Sequence, residues 1–173
     1  MNTIEIIKKQ PMDDGDIQYY LPDIEIIKYN DLEQFHSIDE LLDKPIDYVI
    51  LLIEFKENEG HWVCLLKYNG CIEYFDSYGK PVNYWLHTSD IYQNPKTLEN
   101  LLNTHKNVIY NKIEYQDLQN ENLATCGRHI LNRIEMLKNY NLDCDKYYTL
   151  MKYIKDKTNL TYDDIVSNII QKF

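Results

Sequence analysis

The sequence predicts an α+β fold in which a central sheet, built around one β-hairpin, is packed by helices. Short apolar, β-branched runs occupy the middle of the chain, and amphipathic helical patterns fill its last third. The dipeptide Asn69-Gly70 separates two of these runs, which is the strongest short-range hairpin signal. No linker rich in Gly, Pro or Ser divides the 173 residues. We therefore expect a single domain over 1–173, with a core at about 37–137 and C-terminal helices at about 145–173.

Local patterns predict each element in turn. Residues 10–15 read as a turn, and the pairs Asn30/Glu33 and Ser37/Glu40 fit capping boxes at two helix starts. Strands are predicted over 48–55, 61–68, 71–76 and 107–115. Helices are predicted over 97–102, 126–138 and 145–155, with a last one from Thr161 that puts Ile165, Ile169 and Phe173 on one face.

Composition limits the function classes. The formal net charge is -10, and Arg128 and Arg133 are the only two arginines. Nucleic-acid binding needs a surplus of basic residues to displace counterions, so nucleic acid is not expected as the main partner. The apolar run around 48–53 is too short to span a bilayer, and no charged-then-apolar leader opens the chain. We expect an intracellular monomer that is not secreted and has no membrane partner.

The four cysteines are Cys64, Cys71, Cys126 and Cys144. Free thiols are expected, because disulfides are rare in chains that are not exported. Strand alternation places Cys64 and Cys71 on the face opposite His61, where they read as small core residues. The spacing of His61 and Cys64 therefore does not predict zinc, and no metal or cofactor is expected.

One hairpin brings a base and a carboxylate together. Counting outward from the two-residue turn pairs Val63 with Asp76, so His61 and Asp76 lie on one face as diagonal neighbours. Diagonal pairs are about 7–8 Å apart at Cα, which an imidazole and a carboxylate can span. The carboxylate would fix the tautomer and leave the other ring nitrogen to act as a base. The alternative is a surface histidine and an aspartate that caps a turn.

Cys126 has the position of a nucleophile. It opens a helical pattern whose stripe continues with Ile130 and Ile134, and unpaired amides in a first helical turn stabilise a thiolate. Its own amide is one candidate oxyanion donor, and the side chain of Gln119 in the preceding loop is a second. Taken alone, Cys126 also fits a buried structural cysteine, and Gln119 fits a solvated loop residue. His129 is the weaker candidate base, because no carboxylate is placed to orient it.

The ordered set of these motifs resembles a known family. His61-Trp62, then FDSYG ending at Gly79, then Gln119 and Cys126-Gly127, occur in the order His, Asp, Gln, Cys. This resembles the adenovirus maturation protease and its relatives in large DNA viruses, virophages and related transposable elements, over about residues 37–137. The SUMO-specific proteases share the same core. The resemblance implies a papain-like cysteine protease fold of the adenain/Ulp1 type, with a mixed or antiparallel sheet and the catalytic cysteine at a helix N-terminus.

The resemblance also implies roles. Cys126 would attack the scissile carbonyl, His61 would protonate the leaving amine, Asp76 would orient His61, and Gln119 would complete the oxyanion hole. Trp62 would shape a narrow substrate channel that admits glycine. The implied activity is a cysteine endopeptidase that cleaves viral capsid or scaffold precursors at Gly-containing sites during virion maturation, in the virion and in the host-cell cytoplasm.

Two departures and two alternatives accompany the resemblance. The chain is acidic and has no cysteine between Asp76 and Cys126, so neither the DNA nor the disulfide-linked peptide cofactor of the adenovirus enzyme is expected. A protease of SUMO or ubiquitin-like modifiers would share the same catalytic residues. A binding module that keeps the fold without catalysis is the alternative from another class.

Overall fold

The computed structural model describes residues 3–57, 59–86 and 94–171. Its centre is a five-stranded sheet in the order β1-β2-β3-β4-β5. β2, β3 and β4 are antiparallel to one another, whereas β1 runs parallel to β2 and β5 parallel to β4, so the sheet is mixed. The strands are β1 Glu25–Lys28, β2 Asp47–Lys56, β3 Glu59–Tyr68, β4 Cys71–Phe75 and β5 Val108–Tyr110.

Helices flank the sheet and occupy both ends of the described chain. They are α1 Thr3–Ile7, α2 Asp14–Tyr20, a 3₁₀ helix Tyr29–Gln34, α3 Ile38–Leu41, α4 Thr97–Leu102, α5 Cys126–Tyr140, α6 Cys144–Thr158 and α7 Tyr162–Ile169. Within the described ranges, none of these helices has the length and apolar character needed to cross a membrane.

The hairpin of β3 and β4 has the register that the sequence predicts. Tyr68 pairs with Cys71 and Leu65 with Tyr74. Asn69 and Gly70 both have positive φ angles, of 50° and 71°, which is the conformation that a two-residue type I′ turn requires. The turn fixes the register, and through it the face to which every later side chain of the hairpin points.

Other boundaries differ from the predictions for local reasons. Within the predicted turn at 10–15, Asp13 caps α2 with a complete capping box. Asn30 and Glu33 lie inside a 3₁₀ helix, and Ser37 caps α3 without a side-chain hydrogen bond. β1 was not predicted, because a four-residue edge strand carries little periodic signal. β5 ends at Tyr110, five residues before the predicted end, because the chain then turns toward the cleft.

The C-terminal helices agree more closely. α7 begins with the predicted capping box of Thr161 and Asp164. Ile165 is buried, whereas Ile169 is exposed, and Phe173 lies outside the described residues. α6 begins one residue before the predicted start, because the side chain of Asp143 caps it.

Two apolar cores lie on opposite faces of the sheet. One contains Trp62, Cys64 and Leu66 of β3 together with the buried face of α5. The other contains Val63 and Leu65 of β3 with α3 and α4. Cys64 is therefore a core residue on the face opposite His61, as predicted, whereas Cys71 is only half-buried.

A buried ion pair attaches α5 to the sheet. Arg133 binds both carboxylate oxygens of Glu73 on β4, at 3.1 and 2.6 Å, and neither side chain is exposed by more than a few per cent. Tyr68 donates a further hydrogen bond to Glu73. Such a paired and fully hydrogen-bonded charge fixes one docking geometry, and this geometry sets where the N-terminus of α5 meets β3.

Candidate active site

His61 and Asp76 are in direct contact, as the hairpin register predicts. His61 Nε2 lies 2.9 Å from Asp76 Oδ1, and the side chains are 4% and 0% exposed. β3 carries the histidine, and the aspartate follows the last residue of β4. Because Nε2 is engaged by the carboxylate, Nδ1 is the ring nitrogen that remains for a second partner.

Asp76 is held from three directions. Its Oδ1 also accepts the backbone N–H of Tyr78 at 2.9 Å, and its Oδ2 accepts the indole N–H of Trp85 at 2.7 Å. The Trp85 ring packs on His61 with 4.7 Å between ring centroids. Sequence reasoning missed Trp85, because only the tertiary path after β4 brings it back to the hairpin.

Cys126 is the second partner of His61. It is the first residue of α5, and its side chain forms a hydrogen bond with that of His61. The backbone N–H groups of Trp62 and Gly127 also interact with the sulfur. The N-terminus of α5 and the start of β3 thus converge on one thiol, from positions 65 residues apart in the sequence.

The contacts favour the charged forms of both groups. Burial lowers the pKa of His61, but Asp76 and Cys126 outweigh it and raise this pKa to about 10. Burial raises the pKa of Cys126, but the hydrogen bond and charge of His61 and the two backbone amides outweigh it and lower this pKa. The contacts thus favour the thiolate–imidazolium form of the pair, which is the combination that nucleophilic thiol catalysis uses.

The structure does not bring Gln119 to this site. Gln119 lies in an exposed turn, where its backbone N–H donates to the side chain of Asp117. Gln116 lines the cleft instead and is 1% exposed. Gln119 was expected to complete an oxyanion hole, but the turns of loop 111–125 place it outside the cleft, which a spacing argument cannot anticipate.

Gln116 is rigidly oriented. Its Oε1 accepts from Ser77 Oγ at 2.9 Å, and its Nε2 donates to Tyr78 Oη at 2.7 Å. A side-chain amide nitrogen carries two N–H groups, so one donor remains after the bond to Tyr78. The signal in the sequence was a second glutamine in the same polar loop.

Trp62 lines the cleft, but most of its ring is covered. It is 6% exposed, and its indole N–H donates to the carbonyl of Met12 at 2.9 Å. A Cβ on Gly127 would approach Met12 Cβ to 3.0 Å, so glycine is what allows this close packing. The N-terminal segment therefore forms the wall of the cleft beside Trp62.

That segment, the arm (residues 8–12), is bound through alternate carbonyls. The carbonyl of Lys8 accepts from the backbone N–H of Ala124 at 2.8 Å. The carbonyl of Gln10 accepts from Arg128 Nη1 at 2.6 Å, and that of Met12 from Trp62. All three donors lie within two residues of Cys126 or His61, so the arm is attached directly to the site.

His129 does not reach the thiol, and it has a carboxylate after all. Its Nε2 lies 3.0 Å from Asp163 Oδ1 on α7, and the side chain is fully buried. Thr125 and the backbone N–H of Asp117 also donate to Asp163. The expectation that no carboxylate faces His129 was wrong, because α7 is remote in sequence. The bonds from Thr125 and Asp117 to Asp163 attach the loop before Cys126 to α7.

The cleft around Cys126 and His61 has a volume of about 840 Å³. Among the described residues, five carboxylates and one lysine line it, and this lysine, Lys28, is paired with Glu54 at 3.2 Å. Among the residues that the structure describes, no cluster of three His, Cys, Asp or Glu side chains could hold a metal ion. The acidic lining residues are Asp13, Asp14, Glu54, Glu59 and Glu121.

Comparison with known proteins gives a relative that matches over nearly the full length. No family model matches the chain. The chain is similar to the crystal structure of ASFV pS273R protease, over 99% of this chain and 70% of that one, at 18% identity and a TM-score of 0.49. The uncharacterized protein V9 of Sputnik virophage is 30% identical over 183 residues, which cover 98% of this chain and 99% of that protein. The chain therefore belongs to the family of the Sputnik virophage protein V9.

Proposed function

We propose that this protein is a cysteine endopeptidase with a papain-like mechanism, in an active site of the adenovirus-protease type. The observation that carries the proposal is the buried chain of contacts from Asp76 through His61 to Cys126, at a helix N-terminus that opens into a cleft. Nucleophile, base and orienting carboxylate are the three parts that covalent acyl transfer requires. An inactive binding module would have no need of this arrangement.

Each residue has a defined step. The Cys126 thiolate attacks the scissile carbonyl carbon, and the imidazolium of His61 gives its proton to the leaving amine nitrogen. Asp76 keeps His61 in the orientation needed for this transfer. A water molecule then gives one proton to the now neutral His61 and attacks the thioester carbonyl, which releases the acid product and restores the thiolate and the imidazolium.

Gln116 takes the role that the sequence assigned to Gln119. Its remaining amide N–H and the backbone N–H of Cys126 are the proposed donors to the oxyanion that forms during attack. Support comes from its burial in the cleft wall and from the two hydrogen bonds that fix its orientation.

The proposed substrates are virus-encoded precursors of the capsid or scaffold, cleaved at Gly-containing sites. The relationship to a virophage protein supports a viral setting, and we infer that the enzyme acts in the infected cell and in the maturing particle. A protease of ubiquitin-like modifiers is the second candidate, because it would use the same catalytic residues.

The test is cleavage of a library of Gly-containing peptides, with SUMO and ubiquitin fusions in parallel. We expect wild-type activity to be lost in Cys126→Ala and in His61→Ala. Cys64→Ala is the matched control, because its thiol is fully buried in the core between the sheet and α5 and does not line the cleft. Cleavage that survives in Cys126→Ala would refute the mechanism, and cleavage confined to the fusions would favour the second candidate.

A further inference from the structure

We propose that Trp85 is a positioning residue, which holds the carboxylate of Asp76 in line with His61 through its indole N–H and its ring. The inference rests on the proposed function and extends it to a residue outside the predicted catalytic set. Trp85 follows β4 by ten residues and returns to the end of the hairpin, where it lines the cleft.

Trp85 completes the hydrogen bonding of the Asp76 carboxylate. One oxygen receives His61 Nε2 and the backbone N–H of Tyr78, both at 2.9 Å. The other oxygen accepts the indole N–H of Trp85 at 2.7 Å. Among the described residues, Trp85 is the one hydrogen-bond donor to this oxygen. A fully buried carboxylate oxygen without a donor is costly, so without this bond the carboxylate would rotate or bind water.

Trp85 also packs against the rings of His61 and Tyr78. Trp85 lies 4.7 Å from His61 and 5.2 Å from Tyr78, and Tyr78 lies 5.1 Å from His61, all between ring centroids. The imidazole is therefore enclosed by two aromatic rings. Such rings exclude water from the ion pair and favour the protonated imidazole through cation–π attraction.

Together the two contacts connect Trp85 to the thiol. A fixed Asp76 keeps the proton of His61 on Nε2 and so directs Nδ1 toward Cys126. If the carboxylate turns, the imidazolium loses its acceptor and deprotonates at lower pH, and the thiolate loses its counterion. Trp85 thus acts through Asp76 and His61 without touching the reacting atoms.

The test is the rate of Cys126 alkylation by iodoacetamide as a function of pH, followed by mass spectrometry of the Cys126 peptide. In Trp85→Phe, which keeps a ring but removes the N–H, we expect the alkaline limb set by His61 to move down by about one pH unit. Tyr84→Phe is the matched control. Its ring packs edge-on against Trp85 at 4.8 Å between ring centroids, and the substitution leaves the indole N–H and Asp76 in place, so the limb should not move.

The outcomes separate this inference from the proposed function. If wild-type Cys126 shows no enhanced reactivity at neutral pH, the proposed function fails. If the wild type is reactive and Trp85→Phe has the same pH profile as the wild type and Tyr84→Phe, the positioning role of Trp85 is wrong and the protease proposal stands.

A second measurement needs no substitution. The chain has two tryptophans, so the wild-type NMR spectrum contains two indole N–H signals. We expect the signal of Trp85 to titrate with the His61–Cys126 pair, because its acceptor is the carboxylate that senses the imidazolium. The signal of Trp62 should move less, because its acceptor is the neutral carbonyl of Met12. An indole signal of Trp85 that ignores this titration would overturn the inference.

Discussion

At the scale of single residues, the charge state of Cys126 depends on Asp76, the carboxylate that binds its hydrogen-bond partner His61. Asp76 touches His61 and not the thiol, yet it supplies the attraction that offsets burial of the imidazole. Burial alone would leave both groups neutral. A neutral thiol is a poor nucleophile, so we expect Asp76 to control the reactivity of Cys126 through His61, without contacting the thiol.

Asp76→Asn should therefore strongly reduce the rate at which Cys126 is alkylated at neutral pH. With the carboxylate gone, the pKa of His61 falls because burial is no longer opposed, and the pKa of Cys126 rises because its imidazolium is lost. We expect alkylation of Cys126 at pH 7 to slow by at least about tenfold, the effect of one pKa unit. Iodoacetamide labelling from pH 5 to 10 measures this, and an unchanged profile would show that Asp76 does not control the pair.

The two glutamines of the loop provide a matched pair. Gln116→Ala should lower kcat by about 100-fold, the usual effect of removing one oxyanion donor. Gln119→Ala should leave kcat within about twofold of the wild type, because its side chain is exposed outside the cleft and a surface change of this kind is usually neutral. Steady-state kinetics on one cleaved peptide compares them. The reverse result would restore the sequence-based assignment.

At the scale of elements, α5, which begins at Cys126, is held by segments from both ends of the described chain. Arg128, two residues after Cys126, donates to the carbonyl of Gln10 at 2.6 Å and to that of Ile170 at 3.1 Å. Burial lowers the pKa of this guanidinium. The side chain thus attaches the arm and the end of α7 to α5, and the position of Cys126 depends on both.

Arg128→Met should release the arm. We expect the free energy of unfolding to fall by about 2 kcal/mol, because charge-assisted hydrogen bonds to two carbonyls are lost. Trypsin should then cut after Lys8 or Lys9 in the folded protein, since local release exposes the arm. Lys152→Met is the control, because that exposed cation belongs to a surface pair on α6. Equal resistance of both variants to trypsin would contradict the role of Arg128.

The loop before Cys126 has its own anchor, in Asp163 of α7. Burial raises the pKa of Asp163, but hydrogen bonds from His129, Thr125 and the backbone of Asp117 outweigh it and lower this pKa. A lowered folded-state pKa contributes stability that is present above the unfolded value of about 4. This stability is lost as the pH falls through the folded-state pKa.

Asp163→Asn should accordingly destabilise the protein at pH 6 by about 2 kcal/mol, and by less below pH 4. The reason is that the wild type loses its own advantage when Asp163 becomes protonated. Urea unfolding of both proteins at pH 6 and pH 3.5 measures the difference. A gap that stays constant over this range would show that the charge of Asp163 does not stabilise the loop.

At the scale of the whole molecule, charge is the dominant feature. The net charge is -10, and the cleft is acidic as well: among its described residues, five carboxylates accompany one paired lysine. A cleft lined by one sign of charge raises the local concentration of ligands of the opposite sign. The field acts at long range and is screened by salt.

A peptide with two lysines beside its cleavage site should therefore have a higher kcat/KM than the same peptide with two glutamates. We expect the ratio to be about tenfold at low salt and to narrow as ionic strength rises past the physiological range. Kinetics at 20 and 500 mM salt test this. A ratio that does not depend on salt would place the preference in local contacts and not in the field of the cleft.

The sequence by itself determined the features that depend on short-range pattern. Asn69-Gly70 fixed the hairpin register, which brought His61 to Asp76, and the helical stripe put Cys126 at the start of α5. These predictions succeeded because turn type and strand period act over a few residues. The protease role of this set remains a proposal that the kinetic experiments test.

Only the tertiary structure decided which remote segments meet at the cleft. The exchange of Gln119 for Gln116, the bond from Trp85 to Asp76 and the pairing of His129 with Asp163 all depend on irregular loops or on helices far away in the sequence. Irregular loops have no period from which direction can be inferred. Their course is set by packing against the finished sheet and helices, so these contacts exist only once the whole chain has folded.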